Sequence, residues 1–106
     1  GQTMLHRACA RNRITEVLDL LNCGASVNTC DYAGWTPLHE AALEGHSGVV
    51  RLLLANNADP NAAGHGGDTP LHDASQNGHV DVVRLLLEHG ADARMENDAG
   101  KRPVDV

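Results

Sequence analysis

Phenylalanine is absent from this sequence, and tyrosine and tryptophan occur once each, as Tyr32 and Trp35, so aromatic rings cannot fill an interior. Ala, Leu and Val must build the core. Small and branched aliphatics suit helices that approach closely better than the broad faces of a sandwich. Cysteine is scarce and odd in number: Cys9, Cys23 and Cys30 form no CxxC pair, so spacing encodes neither a zinc site nor a disulfide framework. A reducing compartment fits that usage. No run of 18 apolar residues occurs and Gly1 opens no basic-then-apolar leader, so neither a membrane span nor a signal segment is expected. Cationic residues are outnumbered, 8 Lys and Arg against 14 Asp and Glu, and the net charge of −6 disfavours nucleic acid phosphates as a partner.

Catalytic signatures are missing too. There is no GxSxG, no GxxxxGK[ST] and no GxGxxG. His39-Glu40 begins an HExxH pattern, but Leu43 stands where the second histidine is required. Gly64-His65-Gly66-Gly67 reads as a flexible turn rather than a phosphate cradle. No enzyme activity, cofactor or metal is expected. With 106 residues, the chain has room for one domain and not for two independent cores.

What is present is a repeat. Gly1-Gln2-Thr3-Met4-Leu5-His6-Arg7-Ala8 aligns with Gly34-Trp35-Thr36-Pro37-Leu38-His39-Glu40-Ala41, then with Gly67-Asp68-Thr69-Pro70-Leu71-His72-Asp73-Ala74, and last with Gly100-Lys101-Arg102-Pro103-Val104-Asp105, each 33 residues on. Gly24-Ala25, Asn57-Ala58 and Gly90-Ala91 keep the same step, as do the runs ending at Leu21, Leu54 and Leu87. Units of roughly 1–33, 34–66 and 67–99 follow, with a partial fourth over 100–106.

Each unit can be read physically. Thr36 and Thr69 stand where a hydroxyl would cap the first-turn amides, and Pro37 and Pro70 follow at a helix's first position, where a missing N–H does no harm. Leu38, Ala41 and Ala42 make a narrow apolar stripe, and Gly45 and Gly78 close the first helix. A second helix is expected over Val49–Leu54 and Val80–Leu87, then turns at Asn57-Ala58-Asp59-Pro60-Asn61 and Gly90-Ala91-Asp92. Arg102 stands in the capping-Thr slot of the fourth unit and Val104 in the Leu slot, so that unit is expected to act as a partial lid. No polar outer helix caps either end of the stack, which points to a trimmed piece of a longer array. The recurrent His6, His39 and His72 are expected to bond neighbouring backbone, as is the second recurrent pair, His46 and His79, in a structural role. His65 and His89 break the pattern and are expected at the surface. Cys9 occupies a small inner-helix slot, whereas Cys23 and Cys30 fall at variable positions and read as partly exposed thiols.

The T-P-L-H-x-A strings on a 33-residue period resemble the ankyrin family, in which a turn and two helices repeat. That resemblance implies an all-α solenoid of three helix-turn-helix units plus a truncated fourth, with extended finger loops, and a role in binding proteins. It also implies one concave face lined by the fingers and by the first helices. Residues that do not serve the scaffold are free to serve a partner. In the second unit these are Asp31, Tyr32, Trp35, Glu40, Leu43 and Glu44; in the third they include His65, Asp68, Asp73, Gln76 and Asn77. Asp31, Glu40, Asp68 and Asp73 would form an acidic strip around the single Trp, suited to a basic, extended peptide.

The string from Asp31 to Ala41, with Asp68 to Ala74 and Asn77-Gly78-His79-Val80-Asp81, is similar to a chromatin-associated branch of that family. BARD-type RING proteins, tonsoku-like proteins and ankyrin subunits of fungal histone deacetylase complexes make up the branch. Its tail readers hold histone H4 around an unmethylated lysine, and by position Asp31, Trp35, Glu40 and Asp73 match the residues that do so. Leu43 departs from their Asn and Gln2 from their Glu. The resemblance implies a nuclear module, monomeric within a larger chain or complex. The competing reading is a scaffold that docks a folded subunit through its helical back or an exposed end.

Overall fold

The computed structural model describes residues 2–105, with side chains as far as Val104; Gly1, the first position of the repeat alignment, and Val106 lie outside the described residues. Six α-helices appear in three antiparallel pairs: α1 (Met4–Ala10) with α2 (Ile14–Asn22), α3 (Pro37–Glu44) with α4 (Ser47–Ala55), and α5 (Pro70–Gln76) with α6 (Val80–Glu88). The described residues contain no strand. First helices stack on first helices and second on second, in an elongated body of 38 × 27 × 20 Å.

The helices start where the repeat places caps. Thr3, Thr36 and Thr69 each accept from the backbone N–H of the histidine three residues on, and each histidine ring returns a bond to the cap's own amide, closing three capping boxes. Such a cap is worth about 1 kcal/mol. Helices of 7 to 9 residues would not persist alone in water, so stacking has to supply the rest. It does so through equivalent positions. Leu5, Leu38 and Leu71 are buried at one slot and Ala8, Ala41 and Ala74 at another, while Val49 and Val82 and then Leu53 and Leu86 fill the second row. Cys9 is fully buried beside them, and burial, reinforced by the charge of Glu40, pushes its thiol up to about 12, which leaves it protonated and inert.

Gly45 closes α3 in the left-handed region, at φ 76°. A Cβ there would lie 2.5 Å from the His79 ring, whose Nε2 donates to the Leu43 carbonyl, so this turn needs glycine for space as well as for backbone sign. The third unit differs by one residue: α5 is capped by Asn77, whose side-chain amide donates to the Asp73 carbonyl, and the left-handed Gly78 follows. The fourth unit forms a single 3-10 turn, Pro103–Asp105, packed on α5 with Pro103 buried and Val104 at the surface.

Candidate functional site

Three histidines set the geometry of the concave face. His6, His39 and His72 are buried, and each accepts at Nδ1 from the Thr amide of its own capping box. A backbone carbonyl can only accept, so each Nε2 donates: His6 to the Trp35 carbonyl at 2.7 Å, His39 to that of Asp68 at 2.9 Å, and His72 to that of Lys101 at 2.8 Å. Every histidine thus ties its own helix to the finger of the next unit. Burial is the main cause that lowers the His39 pKa, in keeping with a neutral ring satisfied at both nitrogens. Asn28 and Asn61 make a second ladder, their amides bonding the Asn57 and Gly90 carbonyls and their oxygens accepting from Asp59 and Asp92.

This framework carries a pocket between the second and third units. Trp35, His39, Glu40, Leu43, Asp68 and Asp73 line a cavity of about 270 Å³. Small-molecule pockets run from about 300 to 1,000 Å³, so the size suits a single long side chain better than a cofactor. The half-buried indole forms one wall, edge-on to His39 with centroids 4.8 Å apart and rings at 75°. On its other side the chain comes so close that a Cβ on Gly64 would sit 2.8 Å from the indole. Gly64 replaces the Asp31 and Asn97 of the neighbouring fingers, a substitution visible in the sequence that signals the close approach.

The opposite wall is acidic. Asp73 is only 5% exposed, and no donor among the described residues reaches its carboxylate, whose remaining opening is into the pocket. Burial raises its pKa to about 7, with Asp68 and Glu40 adding repulsion. Glu40 is also raised, first by burial, and one of its oxygens accepts from Gln2 Nε2 at 2.8 Å. Asp68 takes a bond from Asn97 Nδ2 at 2.9 Å. Partial desolvation and mutual repulsion disfavour the charged form of these carboxylates, and a cation delivered between them would relieve both.

Of the residues singled out in the sequence, Trp35, Glu40, Leu43, Asp68 and Asp73 come together here. Asp31, Tyr32, Glu44, His65, Gln76 and Asn77 do not line the pocket. Asp31 holds the finger turn, its Oδ1 accepting from the amides of Ala33 and Trp35; burial pushes its pKa up, but those bonds, together with His6 and Gln2, outweigh it and the result is lowered. Tyr32 stands at the finger tip, 98% exposed, and Glu44 is exposed at the end of α3. Sequence reasoning did not anticipate that His39 lines the pocket as well as bonding backbone.

Repeated helix pairs, fingers tied by histidines and a match of residues 5–97 to the profile of ankyrin repeats in three copies decide the family. The chain belongs to the ankyrin-repeat family. Ankyrin repeats are protein-interaction modules, so the pocket sits in a scaffold suited to protein partners. Over 37 residues the chain is 49% identical to Tonsoku-like protein of Bos taurus, covering 35% of this ankyrin chain and 3% of that protein. Over 38 residues it is 47% identical to SMC5-SMC6 complex localization factor protein 1 of Homo sapiens, covering 35% of the chain and 4% of that protein. The chain therefore spans only a few per cent of the length of these relatives. Among the described residues, no cluster of His, Cys, Asp and Glu could hold a metal ion, and no helix is long and apolar enough to cross a membrane.

Proposed function

We propose that this ankyrin module binds a basic, extended peptide across its concave face, with one lysine or arginine side chain in the pocket between Trp35 and the carboxylates of Glu40, Asp68 and Asp73. The carrying observation is Asp73, a nearly buried carboxylate with no donor among the described residues, opening into a cavity of side-chain size. An ammonium or guanidinium there gains charge-assisted bonds, while the indole covers its aliphatic stem.

The partner we infer is a histone tail, of the H4 kind with an unmodified lysine, in a nuclear chromatin complex. Two considerations support it: the positions of Asp31, Trp35, Glu40 and Asp73 match those of tail readers, and one partial relative is named for localizing the SMC5-SMC6 complex. The test is a titration with a histone H4 tail peptide at rising salt. Affinity that falls with salt, and falls further in Trp35→Ala and Glu40→Ala, is the expected result; a flat response across salt and variants would remove the reading.

A second reading, a scaffold docking a folded subunit, has its own observation: Val80 and Leu87 are exposed on α6 and, with Val83, line a shallow apolar groove on the helical back. Val80→Glu would weaken such docking and leave peptide binding intact.

A further inference from the structure

One slot of the repeat changes sign along the stack. The position after each capping-box histidine is Arg7 on α1, Glu40 on α3 and Asp73 on α5. Four residues on, Arg11 stands where the second unit has Glu44 and the third has Asn77. Arg7 and Arg11 are one helical turn apart and both exposed. Neither arginine forms an ion pair among the described residues, where the salt bridge is the distant Arg94–Asp92 contact. Gln2 links Arg7 to the acidic residues: it donates through its side chain to Glu40 and accepts through its carbonyl from Arg7 at 3.3 Å. Two arginines that form no ion pair, in a chain of net charge −6, make this end of the first helices locally positive.

We infer that the concave face has two subsites of opposite sign and takes a bipolar strand, with a cationic side chain in the Glu40–Asp73 pocket and a carboxylate side chain of the same peptide over Arg7 and Arg11. This rests on the peptide-binding reading above and adds a sequence requirement to it. Packed helices lie about 8–10 Å apart, and an extended strand advances about 3.3 Å per residue, so crossing one repeat takes about three residues. The pocket straddles the second and third units, which places the acidic residue about three to five positions from the cation. Because the first unit lies on one side of the pocket only, the acid must lie on one side of the cation only. The paired arginines therefore fix the direction in which the peptide runs, as charge pairs at a rim fix register.

The experiment uses the 106-residue chain and Gly/Ser peptides that carry a central lysine and a single Glu three, four or five positions before or after it. Matched peptides carry Gln in place of Glu, and a further control carries norleucine in place of lysine. The indole N–H resonance of Trp35 reports occupancy even of weak complexes. The Glu peptides of one polarity should bind about fivefold tighter than their Gln controls, the size expected of an exposed ion pair. That preference should vanish in Arg7→Gln/Arg11→Gln and invert in favour of a second lysine in Arg7→Glu/Arg11→Glu.

Equal affinity of Glu and Gln peptides at every spacing, with lysine still required, overturns the bipolar inference and leaves the cation pocket standing. Indifference to norleucine overturns the pocket itself and the inference with it. Binding of a single-stranded oligonucleotide that is lost in Arg7→Gln/Arg11→Gln, with no Glu preference among the peptides, would reassign the arginines to nucleic acid and overturn the proposal as well.

Discussion

Two neighbouring positions on the first helices behave in opposite ways. At the first, His6, His39 and His72 are buried and repeat the same three bonds, to a Thr hydroxyl, a Thr amide and a carbonyl of the next finger. At the second, Arg7, Glu40 and Asp73 differ in charge and in exposure. One residue of separation turns the side chain from the tie between units to the open face, because successive residues on a helix point about 100° apart. Regularity marks what holds the stack together, and irregularity marks what a partner can read. If this division is right, changes at the first position cost stability and binding together, and changes at the second move binding with little loss of stability.

The largest effect is expected from the tie. His39→Ala removes the ring that satisfies the Thr36 amide and the Asp68 carbonyl, leaving polar groups without partners in a buried region. A loss of about 3 kcal/mol is expected, since each buried group left unpaired costs about 1–3 kcal/mol. Urea unfolding would measure it. A loss below about 1 kcal/mol would mean that the histidine ladder is not what joins the units, and the comparison would fail on its first side. Gly64→Ala ranks next, because the new Cβ would meet the indole at 2.8 Å. Overpacking of this kind costs about 1–3 kcal/mol, and the Trp35 fluorescence should shift as the ring moves outward.

Asp73 is the test of the second position. Its pKa rises from 3.8 in the unfolded chain to about 7 in the fold, so between those values the unfolded chain has lost a proton that the folded chain keeps. Stability from this group therefore falls as pH rises through that window, and the full cost is present above pH 7. Asp73→Asn should be more stable than the parent at pH 8 by about 1–3 kcal/mol, below the ~4 kcal/mol ceiling set by linkage, and indistinguishable from it near pH 3.5. The same variant should bind a basic peptide less well at pH 8. Cation capture favours the ionised carboxylate, so the parent should bind a histidine-free peptide more tightly at pH 8 than at pH 6, with Glu40, Asp68 and the His39 ring as the other titratable groups at the pocket. Greater stability with weaker binding is the signature of a site, and a scaffold residue would lose both.

The repeat made much of this legible before any coordinates. Caps at Thr36 and Thr69, the Leu and Ala slots and the structural role of the histidines all follow from local spacing, because each is settled within one helical turn or by exact recurrence. Other features depend on how units stack. That Asp73 is buried while its equivalents Arg7 and Glu40 are not is a property of the groove between two repeats, where Trp35 leans over the third unit. The sequence sets Asp31 beside Asp73 in one acidic strip, yet the fold gives Asp31 to its own turn, since an Asp two residues before a free amide closes that bond locally. Tyr32 follows it to the exposed tip. The 3.6-residue period says which face a side chain takes, and only the curvature of the stack says how deep it lies.

Leu43→Asn should have the smallest effect and sharpen the comparison most finely. Leu43 is 41% exposed on the rim of the pocket, so stability should change by less than about 0.5 kcal/mol. Its branched side chain gives the cavity an apolar wall facing the acids, and that wall contacts methyl groups on a lysine as readily as it contacts the bare stem. Methylation keeps the charge and removes donors, so the parent should discriminate weakly between lysine and dimethyl-lysine, by less than about threefold. An amide at this position would offer an acceptor to an ammonium N–H and nothing to a methyl group, and preference for the unmodified lysine should rise about threefold to tenfold, one directional hydrogen bond's worth. Paired titrations of the two peptides against parent and variant would read the change. An unaltered ratio would place the cation's head deeper than Leu43, against Asp73 and Asp68 alone, and would move the selectivity of the pocket from its rim to its floor.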